Sequence, residues 1–113
     1  MRPDDVTRLR HMLEAAKEAA GYMMDKDRGH LEKDRVLLLA LMKSIEIIGE
    51  AAAKVSHETK SACADIPWRE IIAMRNRLIH AYMDVDPDIL WHAVIDDLPR
   101  LIRSLEKVLS STA

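Results

Sequence analysis

VLLLALMKSIEIIG, residues 36–49, is the longest apolar run in the chain. Val36, Leu37, Leu38, Leu39, Leu41, Met42, Ile45, Ile47 and Ile48 leave little of a helical circumference polar, so this helix should be covered on several sides. It is the central element of a bundle, or it also faces a partner subunit. Lys43 and Glu46 interrupt the run, which falls short of the roughly 20 apolar residues that a bilayer requires, and no membrane span is expected. Gly49, Ala51, Ala52 and Ala53 follow, small residues that would let another helix approach closely. Gly49 can equally be a plain propensity cost of about 1 kcal/mol.

Working outward, Val6, Leu9, Leu13, Ala16, Ala20 and Met23 recur at steps of three and four, which predicts a helix over 5–24 with Asp4 or Asp5 as its N-cap. The polar segment 25–30 reads as a connection. Beyond the central helix the pattern lapses over 56–66. It restarts at Ile66-Pro67-Trp68, where a third helix begins near Pro67 and buries Trp68, Ile71, Ile72, Leu78, Ile79 and Tyr82. The acidic segment 84–88 ends that helix, and Asp86 caps a fourth with Pro87 at its first position. Ile89, Leu90, Val94, Ile95, Leu98, Leu101, Ile102, Leu105, Val108 and Leu109 extend it, although Pro99 should kink or split it. With three Gly, four Pro and no alternating β-branched runs, the reading is all-α. The expected architecture is an antiparallel bundle of four to five helices forming a single domain over residues 1–113.

Composition narrows the function. Seventeen Lys and Arg against nineteen Asp and Glu leave a charge of −2, without the basic excess of a protein that coats long nucleic acid. A small, locally basic site stays open. The single cysteine, Cys63, rules out an intrachain disulfide framework, points to a reducing compartment and has no neighbour that would activate its thiol. The polar N-terminus lacks a signal-peptide core, so a cytoplasmic, unprocessed chain is expected. No two of the histidines at 11, 30, 57, 80 and 92 stand three or four apart as a helical metal clamp requires, and Glu46 and Glu50 share a face without a histidine partner. Neither a metal nor another cofactor is expected. Gly21, Gly29 and Gly49 are too scattered for a phosphate-binding loop.

The remaining candidate is MRNRLIHAY, residues 74–82, a polar set inside an otherwise apolar helix. At about 100° per residue, Asn76 and His80 lie one turn apart on one side, while Arg75 and Tyr82 are nearly in register two turns apart. Arg75 and His80 stand about 140° apart. A flexible guanidinium stem, a helix that loosens near His80, or a second copy of the helix must bring them together. Guanidinium matches phosphate oxygens and stays charged, whereas an imidazole can take and return a proton near neutrality. The pair suits cleavage of RNA, whose 2′-hydroxyl is a built-in nucleophile, and no metal is needed. Two chains across a twofold axis would supply two histidines and two arginines, enough to divide the base and acid roles. Asn76 could orient the imidazole or, with Arg77, contact phosphate. The structural alternative is that Arg75 bridges to Asp84 or Glu70 and that His80 merely sits near a helix C-terminus. Arg-x-x-x-x-His alone is a weak pattern.

Read together, IEIIGEAA (45–52), IPWR (66–69), MRNRLIHAY (74–82), Val85-Asp86, Ile89-Leu90-Trp91 and Asp97-Leu98-Pro99 resemble the HepT-type HEPN family over nearly the whole chain. The resemblance implies a small helical bundle that dimerises and acts as the metal-independent endoribonuclease toxin of a type VII-like toxin–antitoxin pair. Carried over, Arg75 and His80 would be the catalytic pair at a dimer cleft and Asn76 an assisting group. Tyr82 would be the hydroxyl that an MNT-type nucleotidyltransferase antitoxin modifies with AMP, so that ATP is used by the partner and not by this chain. AMP on Tyr82 would set negative charge and bulk beside Arg75 and compete with RNA. The other function class is a non-catalytic HEPN module that only docks the nucleotidyltransferase. With so little basic excess, RNA affinity should be weak and salt-sensitive.

Overall fold

The computed structural model describes residues 1–81 and 85–111, with backbone alone at positions 79–81. It is all-α: α1 (Pro3–Tyr22), α2 (Arg28–Lys33), α3 (Arg35–Lys54), α4 (His57–Ala62), α5 (Trp68–Ala81), α6 (Pro87–His92), a π-helical segment (Ala93–Asp97) and α7 (Leu98–Ser110). No strand occurs among the described residues. The four principal helices match those expected from sequence, α6 through α7 being the fourth. Two short helices, α2 and α4, occupy segments that sequence periodicity assigns wholly or in part to connections. No helix is long and apolar enough to cross a membrane among the described residues.

The apolar run becomes α3, which Asp34 opens by accepting from the backbone N–H of Leu37 at 3.1 Å. α1, α2, α5 and α6 all pack on α3, and α7 lies against α1. Leu9, Met12, Leu31, Leu41, Ile66, Leu90 and Leu105 fill the core completely out of solvent. Coverage of α3 is incomplete. Val36, Leu39 and Ile47 stay 78%, 43% and 38% exposed, an outward edge in the helix expected to be buried on several sides. The bundle is also open between α5 and α7, because α5 packs on α3 and hardly on α7.

The start of α1 differs from expectation. The helix begins at Pro3 with Arg2 in the cap position and no side-chain cap. Asp5, 3% exposed, instead reaches across to the beginning of α4. It accepts from Ser56 N at 3.0 Å, Ser56 Oγ at 2.6 Å and Thr59 Oγ1 at 2.7 Å, while Ser56 caps α4 through Thr59 N. These donors hold the Asp5 carboxyl down to about 2, the Ser56 hydroxyl contributing most. The buried stripe of α1 is accordingly Leu9, Met12, Ala15, Ala16, Ala19 and Met23, turned from the predicted one, with Leu13 and Ala20 at its margin.

Pro99 does split the fourth helix, in a defined way. Leu98 N donates to the Ala93 carbonyl five residues back, so one turn widens to π register just ahead of the proline, which has no N–H to continue an α ladder. Upstream, Asp86 caps α6 by accepting from Asp88 N at 2.8 Å, with Pro87 at the first helical turn as expected.

Candidate functional site

α5 is placed by its N-terminal end and by its contact with α3. The Pro67 carbonyl accepts the first helical bond from Ile71 N at 3.1 Å, one residue before the first helical position. Trp68 Nε1 donates to the Cys63 carbonyl at 3.1 Å and pins the entry. Ile71, Ile72 and Met74 then pack, half-buried, against the core.

Arg75 follows them onto α3, directly over Gly49. A Cβ at position 49 would stand 2.6 Å from Arg75 Cγ, closer still to its Cβ, and 3.4 Å from the Ile71 carbonyl oxygen. The glycine is therefore a notch in α3 that receives the stem of Arg75. Of the two readings of Gly49, close helix approach is the one observed. Arg75 is half-buried, and its Nε is shut off from solvent without a hydrogen-bond partner among the described residues. Glu70 is exposed and forms no ion pair with it, so that structural alternative for Arg75 is not realised. Asp84 and Tyr82 lie outside the described residues, as does the side chain of His80. A donor buried without an acceptor is costly in a finished interior, on the order of 1–3 kcal/mol. A cation in that state, at the edge of a bundle, is suited to an anionic visitor.

Asn76 and Arg77 are exposed. Arg75 is held inward against α3, so these three side chains do not converge within one protomer. α5 keeps α-helical form through Ala81, which removes loosening before that residue as a route for bringing Arg75 and His80 together. The confinement of the Arg75 stem restricts another of the three, a swinging guanidinium. None of Arg69, Arg75 and Arg77 forms an ion pair among the described residues, and of the three Arg69 and Arg77 are exposed.

The helix after the site is anchored from α2. Arg28 Nε contacts Asp88 at the first turn of α6, and Arg28 Nη1 donates to Glu32 at 2.9 Å. The Arg28 guanidinium holds the Asp88 carboxyl below its usual range. Between α5 and α7 lies a groove of about 420 Å³ floored by Ile45, Ile48, Met74 and Leu98 and rimmed by Asp65, Glu70 and Asp97. Arg100 at the rim is turned to Asp97 at 3.3 Å. The carboxylates along this groove disfavour phosphate, and Arg75 is not among its lining residues. Cys63 is buried, and burial pushes its thiol up, opposite to what an activated thiolate requires. Among the described residues no three His, Cys, Asp or Glu side chains come together as a metal site.

Sequence reasoning missed two features. The Asp5–Ser56–Thr59 cluster was hidden because Asp5 also reads as an N-cap. The groove arises from the gap between α5 and α7, which has no local signature.

A helical bundle that seats an arginine in the notch of its central helix, its Nε without a partner among the described residues, on an element carrying Arg-x-x-x-x-His, defines a small α-helical protein. Its family is evident from sequence comparison. The pattern of the family described as "Ribonuclease HepT-like" matches residues 12–108, and the chain belongs to that family. It is similar to a protein named "Putative RNase" of Methanocaldococcus jannaschii, 30% identical over 88% of this chain and 92% of that one. A "Probable ribonuclease HepT" of Thermococcus cleftensis is 41% identical over 66% of this chain and 68% of its own length. A further "Putative RNase", of Caldanaerobacter subterraneus, is 38% identical over 68% and 69%. No solved structure matches the chain significantly.

Proposed function

We propose that this chain is a metal-independent endoribonuclease, the toxin of a type VII-like toxin–antitoxin pair, acting as a homodimer in the cytoplasm. The observation that carries the reading is Arg75, whose stem is seated on Gly49 and whose buried Nε lacks a partner among the described residues. Membership of the HepT-like ribonuclease family supports the same chemistry. In the reaction, His80 of one copy removes the proton of the RNA 2′-hydroxyl as that oxygen attacks the adjacent phosphorus. Charge gathering on the phosphorane falls beside Arg75. His80 of the second copy protonates the departing 5′-oxygen, which leaves a 2′,3′-cyclic phosphate and a 5′-hydroxyl. Asn76 orients the imidazole or contacts phosphate, and Arg77 adds a phosphate contact.

The need for two copies follows from the helix. Positions 75 and 80 stay about 140° apart on a regular α5, and the inward stem of Arg75 does not swing freely. A second copy supplies the missing direction, and the exposed Val36, Leu39 and Ile47 on α3 offer an apolar edge for it. Regulation is by an MNT-type nucleotidyltransferase partner. That partner transfers AMP from its own ATP to the Tyr82 hydroxyl with release of pyrophosphate, and the added phosphate then occupies the anion site near Arg75.

The test is cleavage of RNA in EDTA and low salt by the unmodified protein, with Arg75→Ala and His80→Ala beside it. Intact mass establishes whether Tyr82 carries AMP. The reading predicts cleavage by the unmodified wild type and a fall of at least about a hundredfold in either variant. Equal cleavage by all three, or none by unmodified wild type, contradicts it; the latter result fits the non-catalytic docking module.

A further inference from the structure

We infer that Gly49 is a positioning residue for Arg75: the notch it leaves in α3 sets where the guanidinium stands. The atoms that a Cβ at position 49 would meet are Cβ and Cγ of Arg75. These belong to the root of the side chain, fixed to the α5 backbone, and no rotamer moves Cβ away. The third neighbour, the Ile71 carbonyl at 3.4 Å, is at ordinary contact distance. An alanine therefore needs α5 to withdraw or turn by about 1.5 Å to restore normal carbon–carbon separation. Either movement opens the enclosure around Arg75 Nε and carries the guanidinium off its position. Gly49 sits on the central helix beside buried Ile48, Ala51 and Ala52, so this part of α3 has little freedom to yield instead. The other two glycines face no comparable demand, since Gly21 has open space and Gly29 meets only an aspartate side chain.

The steric relation stands on the geometry alone. Its consequence for turnover rests on the ribonuclease reading of Arg75. The experiment reads both separately on the full chain: exchange of the Arg75 Nε–H with solvent by 15N NMR, helicity by circular dichroism, and kcat and KM for RNA cleavage in EDTA. Gly49→Ala should keep its helicity, lose the slow exchange of the Arg75 Nε–H by at least about tenfold, and lower kcat by about ten- to a hundredfold with a smaller change in KM. Gly49→Ala placed in an Arg75→Gly background removes both short contacts and should fold like the Arg75→Gly parent. Unchanged Nε–H exchange in Gly49→Ala overturns the inference. So does a double variant destabilised as much as Gly49→Ala itself, because the glycine would then serve packing unrelated to Arg75. If wild type cleaves no RNA, the ribonuclease reading fails, while the exchange data still decide whether Gly49 places Arg75.

Discussion

Arg75 and Asp5 show two ways in which this small bundle treats a charge withdrawn from water. Asp5 is fully satisfied: three donors from the start of α4 surround its carboxylate. Arg75 is left with a buried Nε that has no partner among the described residues, the feature on which the proposed anion contact rests. The satisfied charge is a stability device with a definite sign. Because the folded carboxyl titrates at about 2, below its ordinary 3.8, the contribution is present above about pH 4 and is lost as pH falls through about 2. Near the bundle surface, where solvent screens part of the effect, it amounts to about 1–2 kcal/mol. Urea unfolding of wild type should therefore lose stability between pH 5 and pH 2 beyond that of Asp5→Asn, which should start lower by about that amount and show a shallower slope. Parallel slopes in the two proteins would show that the cluster does not couple to folding. Neither residue's environment was legible in advance. Asp5 looked like a cap because local spacing is all that sequence offers, and its real partners lie 51 and 54 positions away.

Among the elements, α3 was the most readable and also the most instructive where the reading stopped. Its apolar density predicted the central position it occupies, and the small residues at 49–53 signalled a close helix neighbour. Which helix would enter, and which atom would lie in the notch, depended on the register between α3 and α5. Likewise Asp86 and Pro87 marked the start of α6 because capping chemistry is local, whereas the form of the break at Pro99, a single π turn, reflects packing of the whole fourth helix. Short α2 and α4 escaped because six residues give too little periodicity to read. The exposed edge Val36, Leu39 and Ile47 yields a prediction for the element itself. Leu39→Glu places a charge in the middle of that edge at a position that is 43% exposed, so the protomer should keep its helicity and melting temperature within a few degrees. Under the dimer proposal, sedimentation should shift toward the monomer and cleavage should fall with it. An unchanged dimer would move the interface elsewhere on the surface.

For the whole molecule, fold class and family were accessible from the chain alone, because helix periodicity, capping residues and the ordered stretches from IEIIGEAA to Asp97-Leu98-Pro99 all agree. The assembled site was only half accessible. Spacing on α5 selected Arg75, Asn76, Arg77 and His80, but it also showed that two of them face different ways, and the inward seat of Arg75 against Gly49 sharpens that divergence. Under the proposed reaction such a protomer is half of a catalyst, and the proposal depends on a cleft shared between copies. The most direct measurement mixes wild type with His80→Ala under conditions in which subunits exchange, with mixed dimers verified by native mass spectrometry and RNA cleavage followed in EDTA. Because the two histidines of one cleft divide the base and acid roles, a mixed dimer that keeps a single His80 should cleave no better than the His80→Ala homodimer, at least about a hundredfold below wild type. Mixed dimers that form and keep about half of the wild-type activity, as two independent protomer sites would, contradict the account.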